Sequence, residues 1–273
     1  FKPIIWVNDH INYLKAIRYF PFSYVIYHSN ENYLINSGKK NCISDISDTL
    51  RSLLSERIFD HIVVSSPAIK NSLLLNSSYR DSDITFASNM SEIVKISEKI
   101  SFLNPSFSSD IEIVYKGKIN SRIDFDLLYN VISNLPCYKF IFFGKIDESI
   151  KTEWDKIDKL PNVIYQGFLD ISKIYLKLAS ANVGIIPFNT DKKIKESLPF
   201  KVFEYLASDL PVVSVPINYL SSFPEVFSIA NTPNEFINQI QYQINKRFDE
   251  KFLEDARTFI DIHDKNKNFK YIL

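Results

Sequence analysis

The 273 residues predict an α/β protein built as two Rossmann-like halves around mostly parallel sheets. Three observations carry that expectation. Short apolar runs alternate with amphipathic stretches along most of the chain, which is how βα units look in sequence. The alternation starts afresh near residue 111, so the chain divides into two series. The length exceeds one small core and suits two domains of ordinary size.

In the first series the strand candidates are "IIWV" (4–7), "YVIYH" (24–28), "HIVVS" (61–65) and "DITFA" (83–87), with helices expected over 10–19, 43–57 and 66–75. The second runs "IEIVYKG", helix 124–134, "YKFIFFG", helix 150–158, "NVIYQG", helix 170–179, "NVGIIPF", helix 198–208 and "PVVSV". Two terminal helices follow, in "TPNEFINQIQYQINKRF" and "EKFLEDARTFIDIHDKNKNF", each with apolar positions at helical spacing. "SFLNPSFSSD" concentrates Ser, Pro and Asn between periodic segments, so the domain boundary and a hinge are expected near 100–110. The domains are then 1–105 and 106–273.

Composition narrows the function. Hydrophobic residues make up 45% and charged residues 23%, as in a globular protein in water. Net charge is zero and each half is balanced, which argues against binding nucleic acid through bulk charge. Cys42 and Cys137 form no CxxC and no Cys/His cluster, so a reduced compartment and no structural zinc are expected. The longest apolar runs fall far short of the roughly 20 residues of a membrane span. "FKPIIWVND" lacks the cationic start and long apolar core of a signal peptide. A chain that opens on Phe1 and enters a strand almost at once is expected to have its native amino terminus upstream or processed away.

Of five glycines, Gly117, Gly144 and Gly167 each follow an apolar strand run directly, at the carboxyl end where open α/β sheets bind ligands. Tight strand-to-helix turns also need glycine, but three in register point to a crevice. None forms GxGxxG, so a dinucleotide site of that type is not supported. Lys118 and Arg122 stand in the loop after the first of these strands, two cations suited to a diphosphate or simply solvated. In "ESLPFKVFEYLA", Pro199 suits a first helical turn and Ser197 a cap, so the helix start is a candidate anion site. Lys201 would add charge near the phosphates. Glu204, one to two turns in, is suited to ribose hydroxyls, and Glu196, before the helix, to sugar hydroxyls. An amphipathic surface helix with exposed Glu and Lys is the competing reading.

Gly-Lys-x3-Arg after the first strand, "LPNVIYQGFLD", "ANVGIIPF", Glu-x7-Glu in "ESLPFKVFE" and "YLASDLPVVS" occur in that order. Over about residues 111–230 this series resembles the carboxyl-terminal domain of GT-B glycosyltransferases, closest to glycosyltransferase family 4 and its bacterial cell-surface polysaccharide relatives. The resemblance implies that Lys118 and Arg122 hold the donor diphosphate, that Glu204 binds the ribose and that Glu196 meets the transferred sugar. Ser197 and Leu198 are implied to offer backbone N–H near the phosphates, and Gly167, Phe168 and Leu169 to lie near the base. His28 matches a position where relatives often have a histidine or aspartate facing the donor sugar. A catalytic set of His28, Glu196, Lys118 and Arg122 follows, with neither metal nor cofactor.

The first half matches only the later part of the family's acceptor-binding domain. Its opening βαβ units are absent, and "ITFASNM" lacks the glycine relatives carry there. The resemblance implies hexosyl transfer from a UDP- or GDP-type donor to a glycan or lipid-linked acceptor, with Glu-x7-Glu leaning toward retention of configuration. The implied place is cytoplasmic, with peripheral association at the inner face of the membrane left open, as is the oligomeric state. Two alternatives stand beside it. One is a non-catalytic donor-binding module; the other is a nucleotide-sugar epimerase, for which Asp9, His10 and His28 are the acid/base candidates.

Overall fold

The computed structural model describes residues 3–19, 21–22, 24–34, 42–87 and 108–263. The expected linker therefore lies mostly outside the described residues, as do the end of "ITFASNM" and residues 264–269 of the last expected helix. Contacts divide the chain into two units. One holds Phe1–Ser91, Glu196–Leu198 and His263–Leu273; the other holds Glu92–Lys195 and Pro199–Ile262.

The first unit has four parallel strands in chain order, β1 (Ile4–Asn8), β2 (Tyr24–Ser29), β3 (His61–Val64) and β4 (Ile84–Phe86). They are joined by α1 (Ile11–Ala16), α2 (Cys42–Ser55) and α3 (Pro67–Asn76). Asn8 stands beside His28, and His28 beside Val63, so the carboxyl ends of three strands lie level. Leu14, Leu50, Leu53 and Leu54 bury a helical face against Tyr27, Ile62 and Val64 of the sheet. The start of α3 follows from its sequence. Ser66 accepts from Ile69 N at 3.3 Å, and Pro67 fills a position whose N–H has no helical partner to lose.

The second unit contains β5 (Glu112–Lys116), α4 (Phe125–Asn134), β6 (Lys139–Phe143), α5 (Lys151–Asp158), β7 (Val163–Tyr165), α6 (Ile171–Ser180) and β8 (Val183–Ile186). It continues with α7 (Lys192–Lys195), α8 (Lys201–Ala207), β9 (Val212–Ser214), β10 (Phe227–Ile229), α9 (Pro233–Gln243) and α10 (Glu250–Ile262). All six strands are parallel, in the order β10-β9-β8-β5-β6-β7. Chain order reverses between β5 and β8, and ligands of such sheets bind at that switch point, beyond the carboxyl ends of the strands. Val114, Phe140, Ile141, Val183 and Ile185 are buried on both faces, which is why these strands read as continuous apolar runs.

One expectation needs correction where it touches the site. The helix expected over 198–208 is only Lys201–Ala207, and its cap position is Phe200, without a side-chain cap. Val202 N and Phe203 N donate to Pro199 O and Phe200 O at 3.1 Å, so the chain turns tightly before the helix settles. Pro199 and Ser197 thus precede the helix, and Ser197 is not its cap.

Candidate functional site

At the switch point β5 ends on Lys116, and the side chains that surround it come from α8. Lys116 Nζ pairs with Glu204, and Lys116 N donates to Tyr205 Oη at 2.8 Å. Glu204 is only 3% exposed and the Lys116 side chain 20%, so the pair is largely withdrawn from water. Tyr205 comes this close because β8 carries glycine opposite it: a Cβ on Gly184 would stand 2.7 Å from the Tyr205 ring. Lys116 escaped the sequence reading because it passed for the last residue of a strand. Its place directly before a ligand-side glycine was the available signal.

Lys201 lies in the same cluster. Its ammonium sits 3.7 Å above the centre of the Tyr115 ring and 4.7 Å from that of Phe188, and a Cβ on Gly117 would come within 3.1 Å of it. Rings stabilise a cation through their quadrupole but supply no counter-charge. Burial pushes the Lys201 ammonium's pKa well down, opposed by the Glu204 charge and reinforced by Lys116 and Arg122. Lys116 and Lys201 thus both bear on one carboxylate, just behind the Gly117 turn.

The turns after β5 and β6 pack backbone to backbone. Gly117 N donates to Phe143 O and Gly144 N to Gly167 O, each at 2.9 Å. Any Cβ on Gly144 would run into the Gly117 carbonyl, and Gly144 has φ of 134°, so both space and backbone geometry demand glycine. Tyr165 Oη closes the arrangement by donating to Gly144 O at 2.8 Å. Beyond it, Phe168 is 88% exposed and Leu169 is half-buried.

Lys118 is exposed and pairs with Asp147 at 2.5 Å, and its ammonium holds the Asp147 carboxyl down at about 2. A diphosphate at Lys118 would compete with that carboxylate. Arg122 lies on the exposed loop between β5 and α4. Asn189 N donates to Arg122 O and Asn189 Nδ2 to Ser121 O, each at 2.8 Å. The second unit thus gathers Gly117, Lys118, Arg122, Gly144, Gly167, Lys201 and Glu204 at one edge of one sheet, and adds Lys116.

The remaining expected site residues belong to the first unit. Glu196 accepts from Asn32 Nδ2 at 3.0 Å through its carboxylate and from Ser66 Oγ at 3.2 Å through its backbone oxygen. Ser197 and Leu198 group with it. His28, on β2, meets Trp6 edge to face with ring centres 5.9 Å apart. Asp9, just past β1, accepts from Tyr27 Oη at 2.6 Å and from Asn30 N at 2.7 Å, and burial pushes its carboxyl up to about 6. Those bonds commit both of its oxygens to holding the β2 turn, a poor position for epimerase acid/base work. A cavity of about 500 Å³ beside β1, between Trp6, Tyr13, Ile17 and Phe22, has apolar walls with no charged group, which does not suit a phosphate.

Among the described residues no group of three or more His, Cys, Asp or Glu is placed to hold a metal ion. No helix among them is long and apolar enough to cross a membrane.

No family model matches the chain. It is 25% identical over 161 residues to a protein of Bacillus subtilis (strain 168) named as a teichuronic acid biosynthesis glycosyltransferase, TuaH, a match covering 58% of this chain and 41% of that one. Its fold is similar to that of an S. aureus TarM variant in complex with fondaparinux, alpha-GlcNAc-glycerol and UDP, with TM-score 0.68, 14% identity, and 98% of this chain covering 54% of that chain. It is also similar to trehalose-6-phosphate synthase, in a structure addressing glycosyl transfer with retention, with TM-score 0.76, 10% identity, and 99% of this chain covering 72% of that chain. The chain spans about two fifths of the curated relative and about half of the TarM chain.

Proposed function

With the two-sheet parallel α/β fold of GT-B glycosyltransferases as premise, we propose that this chain binds a nucleoside diphosphate sugar in its second unit. It transfers the hexosyl group, with retention, to a glycan or a lipid-linked acceptor. UDP is the favoured carrier, because the TarM structure similar in fold holds UDP; GDP is the runner-up. The observation that carries the reading is the buried Lys116–Glu204 pair with Lys201 beside it at the switch point, a site with a carboxylate for hydroxyls and basic side chains for phosphates.

In this reading Glu204 accepts from the ribose hydroxyls while Arg122, Lys118 and Lys201 offset the diphosphate charge. Lys118 leaves Asp147 for a phosphate oxygen. Gly117 and Gly144 admit the donor against bare backbone, and Phe168 offers its exposed ring to the base. In the transfer, the bond from the anomeric carbon to the diphosphate oxygen breaks and its electron pair goes to the diphosphate. The acceptor hydroxyl forms the new bond on the same face, and its proton passes to the departing phosphate oxygen. Stabilising charge on the leaving diphosphate is the main catalytic contribution of the second unit.

The test is calorimetric titration of UDP, GDP, CMP and dTDP, followed by product analysis with UDP-sugars in the presence and absence of glycan acceptors. UDP binding with transfer to acceptor supports the reading. Epimerised UDP-sugar without acceptor, or no binding of any nucleoside diphosphate, overturns it.

A further inference from the structure

The cation Arg122 lies on a loop held locally by Asn120, whose Oδ1 accepts from Arg122 N at 3.1 Å, and tied as well to a segment 65 or more residues later in the chain. The loop after β8, Pro187 to Asn189, runs antiparallel to the loop after β5 through a bridge between Ile123 and Phe188. Asp124 N donates to Pro187 O at 2.9 Å. Asn189 completes the tie twice, from its backbone N to Arg122 O and from its side-chain amide to Ser121 O, both at 2.8 Å. These two loops leave the sheet on either side of the switch point, so the tie spans the place where the ligand is expected. The neighbouring Phe188 is buried and forms part of the ring floor beneath the Lys201 ammonium. One short segment therefore bears on two of the site's cations.

We propose that Asn189 is a positioning residue for the diphosphate, holding the 121–122 backbone so that Arg122 faces the phosphates; this rests on the nucleoside diphosphate reading of the site. The side-chain amide is the part that matters. Its Nδ2 is a donor to a loop carbonyl that has no ladder of its own, whereas the backbone bonds of the tie survive a change of side chain. Asn189 is half-buried on a loop beyond the end of β8, outside the strand ladder, so replacing it leaves the strand pairing intact.

The test is a double-mutant cycle on Asn189→Ala and Arg122→Ala, reading Kd for UDP and for uridine by calorimetry, with Asn189→Asp as a second variant that also loses the amide donor. Asn189→Ala should lower the preference for UDP over uridine by about five- to tenfold, part of what an ideally placed charge-assisted bond supplies, and leave uridine binding unchanged. Asn189→Asp should lose at least as much. The double variant should be no worse than Arg122→Ala alone, because the amide acts only through the arginine. Three results overturn the proposal: a wild-type preference in Asn189→Ala, an equal loss for UDP and uridine, or losses that multiply in the double variant. A wild-type protein that does not prefer UDP to uridine overturns the reading of the site and this proposal together.

Discussion

Glu204→Gln removes one charge and almost no volume from the centre of the second unit, and its consequence follows from what surrounds it. The carboxylate pairs with Lys116, whose side chain is 20% exposed, and its charge also acts on Lys201, whose ammonium rests on the rings of Tyr115 and Phe188. Breaking a buried pair by removing one partner costs about 3–5 kcal/mol, and the partial hydration left to Lys116 places this case at roughly 2–4 kcal/mol. Adding Lys201→Met removes the second amine that the Glu204 charge acts on and should recover about half of that loss. Urea unfolding of the single and double variants, read at constant m, measures both numbers. A Glu204→Gln protein within about 0.5 kcal/mol of wild type, the range of ordinary surface substitutions, would refute the reasoning. So would a double variant no more stable than the single one.

Other outcomes follow from the same geometry. Lys201→Met alone should remove an alkaline pH dependence: the folded-state pKa is depressed, so the unfolded chain binds more protons and wild-type stability should rise with pH toward the unfolded value near ~10.4. Urea titrations above neutral pH, compared between the two proteins, check the slope. Asp9 behaves oppositely. With its carboxyl raised to about 6, the folded state binds the extra proton, so stability should fall by roughly 2–3 kcal/mol as pH rises from about 4 through 6, and Asp9→Asn should flatten that window. Gly184→Ala should push the Tyr205 ring off its contact and weaken UDP binding along with stability, by roughly 1–3 kcal/mol in unfolding free energy as for other overpacked cores.

Much of this fold is legible in the sequence because buried parallel strands must be apolar throughout and their helices must be apolar on one side. "EIVYK", "KFIFF" and "VGII" stand where strands were expected, and the helices between them start within a residue or so of expectation. The strand Phe227–Ile229 was not legible, since three residues with a central serine carry no periodic signal. The start of α8 misled because a proline before an apolar helix suggests its first turn, while the chain here spends that stretch in tight turns. Site glycines were legible from their place after strand runs. Pairings were not: Lys116 meets Glu204 across 88 residues and Asn189 meets Ser121 across 68, and side-chain partners at such separations leave no spacing rule in the chain. The grouping of Glu196–Leu198 with the first unit was hidden for the same reason, since Asn32 and Ser66 reach it from far upstream.

The carboxyl edge of β5, β6 and β8 is the proposed place of the nucleoside diphosphate. Determining the structure with UDP bound tests this most directly. The ribose hydroxyls should then lie on Glu204 and the diphosphate between the Gly117 turn and Arg122, with Lys118 released from Asp147. UDP seated instead against the strands of the first unit, with the Lys118–Asp147 pair intact and Glu204 untouched, would contradict it.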